Sequence, residues 1–433
     1  MASIPVDTRT IPRSATAPFP GATSRPARRR LRQGAAFALL VSMLVVFFAA
    51  ASAPTPLYAS YRAQWGFGPL TVTAIFGVYA VAVLGALLTA GSLSDHVGRR
   101  PVLLGALGVQ AVAMLVFLTA DGVTALVLAR IVQGLATGAA IGALGAALLD
   151  LDRERGAVAN AVAAMAGTAS GALVAGILVA YLPSPTHLVY AVILVLLAAQ
   201  ALAVVLMAET SATRPGAVRS LRPQLGIPSA ARAPLLLALP TIVAVWALAG
   251  LYGSLGPAVA QAVVGRTSPL LGGLTLGVLA GAASLTVLLA RRTDPARLMT
   301  AGVVALVVGV SITEAALVTS SPVLFFLGAA VAGTGFGGAF QGALRTVVPL
   351  AAPHERAGLL SAVFVASYLA FGVPAMVAGY LAAHGGLIST TEAYTAVVLV
   401  LSVTSLAGMG VRSAMSRRAA AAGDLSGCTA CTV

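Results

Sequence analysis

Apolar segments of membrane-spanning length recur along the chain at about 34–57, 71–93, 101–120, 123–149, 157–182, 187–208, 234–263, 269–290, 298–319, 322–344, 358–383 and 391–411. An α-helix rises 1.5 Å per residue, so about 20 apolar residues cross the ~30 Å hydrocarbon core of a bilayer. Twelve spans are therefore predicted. The turns between them are short and polar except at 209–233, ETSATRPGAVRSLRPQLGIPSAARA, a Pro- and Arg-bearing linker that divides six spans from six. The first run, Gly34 to Ala53, follows RPARRRLR and ends in Ala51-Ser52-Ala53, the outline of an export signal. It is longer than the 7 to 15 residues of a signal core and reads as the first span. The predicted organisation is a disordered basic tail at 1–33, a six-helix bundle at 34–208, a linker at 209–233, a second bundle at 234–411 and a tail at 412–433.

Composition supports this reading. Of 433 residues, 59% are hydrophobic and 9% charged, against roughly 25% charged in soluble domains. All 26 basic residues are arginine and 12 residues are acidic, giving a net charge of +14. The arginines fall between apolar runs and not in a patch interleaved with aromatics, so nucleic acid is not the expected partner. Their placement reports topology. With the N-terminus inside, 23 of the 26 lie on the cytoplasmic side and only Arg62 and Arg266 outside, with Arg130 inside a helix. By the positive-inside rule both termini are expected in the cytoplasm. The two cysteines, Cys428 and Cys431, exclude a disulfide framework, and a single pair lacks the four ligands of a structural zinc site. Their role stays open, and no metal or cofactor is expected.

The halves resemble one another. A shift of 201 residues lays Glu154-Arg155 on Glu355-Arg356, Gly134 on Gly335 and Gly171 on Gly372. Parallel repeats with a central site between them are one transporter architecture.

The turn between the second and third spans reads GSLSDHVGRRPVLL from Gly91. Gly91 allows close helix approach, Asp95 can pair with Arg99, Gly98 permits a left-handed backbone and Pro101 suits a helix's first turn. A positive-inside turn with a capping acid explains the arginines but not the whole cluster. The stretch resembles the loop signature of the major facilitator superfamily, G-x-L-x-D-x-x-G-R-R/K, with Gly91, Leu93, Asp95, Gly98, Arg99 and Arg100 in place and His96 where arginine is common. The resemblance implies the twelve-helix fold and a cytoplasmic latch that holds the halves together in the outward-facing state. The corresponding turn of the second half, ARRTDPAR, keeps Asp294 and Arg297 without a glycine, so the latch is expected to be asymmetric.

Arg130 lies in LVLARIVQGLATG, where it needs a partner, water or a task, or else snorkels outward. Arg130, Gln133 and Gly134 match the family's R-x-x-Q-G, which the resemblance associates with proton coupling. GTASGALVAG resembles the antiporter signature G-x-x-x-G-P-x-x-G-G at Gly167, Gly171 and Gly176, with Ala172 for proline and Ala175 for a glycine. Simple helix packing is the competing reading. In the eleventh span Gly372, Pro374 and Gly379 could form a flexible counterpart. Glu314 is the acid well inside a span of the second half, either a proton carrier or an interfacial group. Tyr79, Asn160, Trp246, Tyr252, Gln261, Gln341 and Tyr368 could line a central cavity. Aromatics and amides with almost no acid point to a moderately polar or amphipathic substrate, not a quaternary cation.

The resemblance implies a monomeric secondary transporter of a bacterial plasma membrane, not an enzyme, with a small-molecule substrate, protons and the lipid bilayer as its partners. Without an ATPase motif the energy must come from a gradient. The reading preferred is proton-coupled efflux of a drug or metabolite. A proton-coupled importer and a non-transporting receptor or scaffold are the alternatives.

Overall fold

The computed structural model describes residues 31–223 and 225–428, with side chains described as far as Val411. Residues 1–30 of the predicted tail, and Cys431, lie outside the described residues, as does the Cys428 side chain. Among the described residues every regular element is helical, and twelve helices are long and apolar enough to cross a membrane. In chain order the elements are α1 Gln33–Ser52, α2 Tyr58–Trp65, α3 Pro69–Ala90, α4 Ser94–Val97, α5 Arg99–Leu118, α6 Val123–Leu151, α7 Arg153–Tyr181 and α8 Pro185–Leu206. After the short α9, Ala217–Ser220, come α10 Ser229–Ser254, α11 Gly256–Val264, α12 Pro269–Leu289, α13 Pro295–Thr319, α14 Pro322–Val347, α15 Arg356–Gly385 and α16 Leu387–Cys428.

The boundaries follow from backbone chemistry. Proline opens α3, α8, α12, α13 and α14, where its missing N–H costs nothing. Asp152 caps α7 by accepting from the Arg155 amide at 2.9 Å, and Asp294 caps α13 by accepting from the Arg297 amide at 2.9 Å. In the second half, then, the acid of ARRTDPAR caps its own helix.

Four predicted boundaries are corrected. The first span, expected at 34–57, stops at Ser52, because Pro54 and Pro56 cannot continue the helical ladder. The seventh, expected at 234–263, begins at Ser229 within the supposed linker and breaks at Leu255, ahead of Pro257. Each half thus opens with a spanning helix, a proline-bearing turn and a short helix. The linker is not featureless, since it carries α9. The segment expected as a tail from 412 continues α16 to Cys428, in keeping with the helix propensity of its Ala and Arg.

One apolar core joins α1, α3, α5, α6, α7 and α8 around Leu40, Phe47, Leu103 and Phe117, while another joins α10 to α14 and α16 around Val245, Phe325 and Phe336. Close backbone approach at small residues holds the helices within each half. Gly134 and Gly138 seat α6 on the Tyr79 and Val83 carbonyls of α3, and Gly333 and Gly337 seat α14 on the Leu279 and Ala283 carbonyls of α12. The internal repeat is therefore carried at Gly333 and Gly337. Gly335, the residue that the shift of 201 pairs with Gly134, faces α13 instead.

Two seams join the halves. In one, Gly176 and Gly273 bring α7 and α12 together, and a Cβ on Gly176 would lie 3.2 Å from the Gly273 Cα. In the other, Gly379 of α15 meets the Thr73 side chain of α3, and Gly77 meets Met376. Both lie at the end of the molecule remote from the Gly91–Arg100 turn. A side chain at the α13–α14 contact has nowhere to go, because Gly335 abuts the Leu306 backbone. Gly335→Leu should therefore cost at least about 1 to 3 kcal/mol and lower the Tm of the purified protein. Gly105→Leu, at a position with open space beside it, should leave Tm unchanged.

Candidate functional site

The Gly91–Arg100 turn is held by a web of charge-assisted contacts. Arg99, almost fully buried, makes Nη1 contacts to Asp95 Oδ1 at 2.5 Å and to Ser94 Oγ at 2.7 Å. Its Nε reaches Asp150 Oδ2 on α6 at 3.1 Å. Arg100 donates Nη2 to the Val205 carbonyl at the end of α8, at 2.5 Å. Leu93 packs on the first-half core, and Gly142 of α6 rides on the Gly91 backbone.

Two acids that sequence reasoning missed complete the turn. Asp150 is one, and Glu209 is the other. The Glu209 carboxylate accepts from the Arg99 amide at 2.8 Å and the Arg100 amide at 3.0 Å, so the start of the linker caps the exposed N–H groups of α5. Gly98 makes this possible. Its φ of 98° and ψ of 154° place it in a region essentially reserved for glycine, and a Cβ there would stand 2.8 Å from Glu209 Oε2. Asp150 and Glu209 are legible in the sequence only as acids at span ends; their shared target is set by tertiary packing. Beyond Glu209 the linker stays on the turn, with the Arg214 amide donating to the His96 carbonyl at 2.8 Å and Ser92 Oγ to the Ser220 carbonyl at 3.1 Å. It then crosses to the second half, where the Gly226 amide donates to the Gly358 carbonyl. Among the described residues, none of the turn's own side-chain bonds reaches the second half.

Arg130 does not snorkel. It is 1% exposed, deep in the first half, with Nε and Nη2 donating to Tyr58 Oη at 3.0 and 2.8 Å and Nη1 donating to the Ala51 carbonyl and Gln133 Oε1, each at 2.8 Å. Gln133 Nε2 in turn donates to the Ala50 carbonyl at 2.9 Å. Ala50 and Ala51 are in the last turn of α1, whose carbonyls lose their ladder partners where the prolines stop the helix. The R-x-x-Q spacing thus places a cation and an amide on one face of α6 to satisfy a helix end. The guanidinium also lies 5.1 Å from the Tyr79 ring and 5.8 Å from that of Tyr58. Tyr58 is a partner that the sequence did not indicate.

Between the halves a vestibule of about 670 Å³ is lined at one end by Gly91, Ser92, Asp95, Leu149, Ala357 and Leu360. It therefore lies on the side of the Gly91–Arg100 turn, opposite the two glycine seams. Asn160, Gln341, Trp246 and Tyr368 line it. A smaller chamber of about 90 Å³ lies toward the seams, with Tyr79, Trp246 and Tyr368 in its wall. Tyr252 and Gln261 are elsewhere. Tyr252 Oη shares a bond of 3.0 Å with Thr313 Oγ1, and Gln261 Nε2 donates to the Ser268 carbonyl at 3.4 Å. Glu314 also lies away from both cavities, accepting from Thr395 at the α13–α16 contact. Of the glycines in the fifth span, Gly167 and Gly171 pack against α1 at Val45 and Ala49, and only Gly176 belongs to a seam between halves.

Tyr58→Phe should leave two guanidinium donors of Arg130 unpaired and cost about 1.5 to 3 kcal/mol. Arg130→Lys should be at least as damaging, because an ammonium cannot serve the same fork of acceptors. Thermal unfolding of the purified variants measures both. Gly98→Ala should also destabilise, by about 1 to 3 kcal/mol.

Comparison with known proteins agrees with this architecture. The family profile described as Major Facilitator Superfamily matches residues 35–373. The chain is 33% identical over 145 residues to the cephamycin export protein CmcT of Amycolatopsis lactamdurans, a stretch covering 32% of this chain and 29% of that protein. It is 29% identical over 131 residues to the inner membrane transport protein YajR of Escherichia coli, covering 30% of this chain and 27% of that one. Less than a third of either relative's length is thus matched. Among solved structures, the human organic anion transporter MFSD10 aligns at a TM-score of 0.63 with 18% identity over 87% of this chain and 100% of its own. The nucleoside transporter NupG aligns at 0.66 with 13% identity over 86% of this chain and 99% of its own. At these identities the likeness concerns the fold. With the profile covering most of the chain and twelve spans arranged as in these transporters, the chain belongs to the major facilitator superfamily of membrane transporters.

Proposed function

We propose that the chain exports small organic molecules across a bacterial plasma membrane by alternating access, driven by protons moving inward, and that it works as a monomer. The observation that carries the reading is the asymmetry of the interface between halves, which holds a vestibule at the end of the Gly91–Arg100 turn and close glycine contacts at the other. The arginine distribution puts the turn and both termini in the cytoplasm, so this conformation is inward-facing. In this state the turn bonds to its own half and the linker, and Asp95, paired with Arg99, also lines the vestibule, where it would face the second half when the vestibule closes. Residues 34–208 and, with α10 taken whole, 229–411 act as the two rocking units.

The direction is export because the matched stretch of CmcT belongs to a protein named as an exporter and because the glycines of the fifth span resemble the antiporter signature. For coupling, the described residues offer one carboxylate on the vestibule wall, Asp95. Glu314, packed against Thr395, is a second proton-carrying candidate that would act from the α13–α16 contact.

Expression in a pump-deficient bacterium should lower accumulation of at least one compound in a panel of antibiotics, dyes and metabolites, and a protonophore should abolish the effect. Raised accumulation would identify an importer. Inside-out vesicles should show proton release from the lumen on adding that compound. Alternating access has its own test at the Gly176–Gly273 seam. With Cys428 and Cys431 replaced by serine, Ala169→Cys plus Gly281→Cys, where the same α7–α12 contact continues and the two Cβ positions lie 3.8 Å apart, should form a disulfide under oxidation, stop transport and recover on reduction. Full transport by the cross-linked protein would refute the mechanism.

A further inference from the structure

The vestibule and the inner chamber are separate spaces with a common wall. Phe48, Met165, Trp246, Phe336 and Tyr368 line both. Trp246 is the hub of that wall, with ring centroids 5.3 Å from Tyr368, 5.5 Å from Phe340, 5.8 Å from Phe371 and 6.0 Å from Phe336. Its indole N–H is buried and has no hydrogen-bond partner among the described residues. An unmet buried donor is unfavourable and is recovered by any acceptor brought to it.

Charge is distributed just as unevenly. Of all the residues lining the two spaces, only Asp95 and Arg222 are charged, and both belong to the turn and linker at the vestibule's mouth. Apart from the Trp246 N–H, the side-chain N and O atoms of the chamber's lining are hydroxyls, from Ser52, Thr55, Tyr79, Thr168 and Tyr368. Arg130 stands behind Tyr79, already occupied by Tyr58, Ala51 and Gln133, and its field is hostile to a cation. An ion moved into this chamber would lose hydration without gaining a partner. Size limits the occupant as well. An apolar protein cavity of ~150 Å³ accepts benzene, so a chamber of about 90 Å³ holds at most a single ring with slight side-chain adjustment. The vestibule, at about 670 Å³, lies within the ordinary range for ligand sites.

We propose that the inner chamber is a subsite for an uncharged single-ring or similarly compact apolar group, which inserts past Trp246, while the remainder of the molecule stays in the vestibule near Asn160 and Gln341. An acceptor atom beside the ring takes the Trp246 N–H. The substrate class is thus neutral amphipathic compounds with a terminal small ring. This rests on the transport reading for its role but is tested by binding alone.

The chain has two tryptophans, and Trp65 stacks on Tyr61 in α2 without lining either space. In Trp65→Phe the fluorescence of Trp246 alone reports the partition. The purified variant, excited at the red edge of the indole band where tyrosine does not absorb, is titrated with three quenchers of one ring system, 4-nitrobenzyl alcohol, 4-nitrobenzoate and 4-nitrobenzyl trimethylammonium, with inner-filter absorption by each corrected against free tryptophan. The alcohol should quench saturably, with both ions weaker by at least about tenfold. Ala249→Leu, which fills the chamber, should remove the saturable phase, whereas Ala161→Leu, on the vestibule wall, should retain it. Equal or tighter binding of either ion, or strictly linear quenching by the alcohol, would overturn the proposal. Saturable binding without transport in vesicles would leave the subsite standing and instead refute the exporter assignment.

Discussion

In hydrocarbon a backbone carbonyl that loses its helical donor has no water to turn to. Everything at the centre of this protein depends on how that demand is met where α1 stops. Pro54 and Pro56 end the helix at Ser52, and Arg130 and Gln133 reach across from α6 to the Ala51 and Ala50 carbonyls. The same guanidinium is held by Tyr58, just past the break, and lies behind Tyr79 on the chamber wall. One buried cation therefore ties α1, α2, α3 and α6 together, and a positive charge at a helix C-terminus is favourable in itself. The motif can be understood as a structural cap whose by-product is a positive potential beside the inner chamber.

The second constraint is close approach without a hydrophobic driving force. Lipid tails are as apolar as leucine, so helices associate by packing, which small residues permit. Glycine is used for this both within the halves, as between α13 and α14, and between them, as at Gly176 with Gly273. The two uses differ in consequence. Contacts within a half build the two large apolar cores, while the seams between halves pair glycines with side chains of the other half, such as Leu173, Met376 and Thr73, and carry a smaller buried cluster of Tyr79, Ala80, Val83 and Tyr368. At the other end polar contacts replace packing. Arg99, Asp95, Asp150 and Glu209 make the turn rigid, and the linker strapped over it runs on to Gly358. A cross-braced turn at one end and close glycine contacts at the other suit the proposed rocking of the halves.

Much of this was legible from residues alone. Twelve spans, the dividing linker and the residues of the Gly91–Arg100 turn are all visible because apolar length and loop chemistry are local properties. Asp152 and Asp294 cap helices they directly precede. What local reading missed was consistently a partner supplied by another segment of the chain. Tyr58, Asp150 and Glu209 carry no motif of their own, and each matters only because Arg130, Arg99 or the start of α5 is folded against it. Tyr252, Gln261 and Glu314, plausible by residue type, face Thr313, Ser268 and Thr395. Helix rotation decided between cavity and seam, and a hydropathy pattern that is apolar on all sides does not encode rotation.

By itself, then, the sequence determined the solvent, the number of spans and the family signatures, because transfer into hydrocarbon depends on the length and composition of each segment taken singly. Tertiary structure alone decided that Gly335 faces α13 while Gly333 and Gly337 carry the repeat, that the cavity is divided at Trp246, and that the interface is closed at one end and open at the other. Those properties depend on distances between helices far apart in the chain, set by which small side chains let two backbones meet.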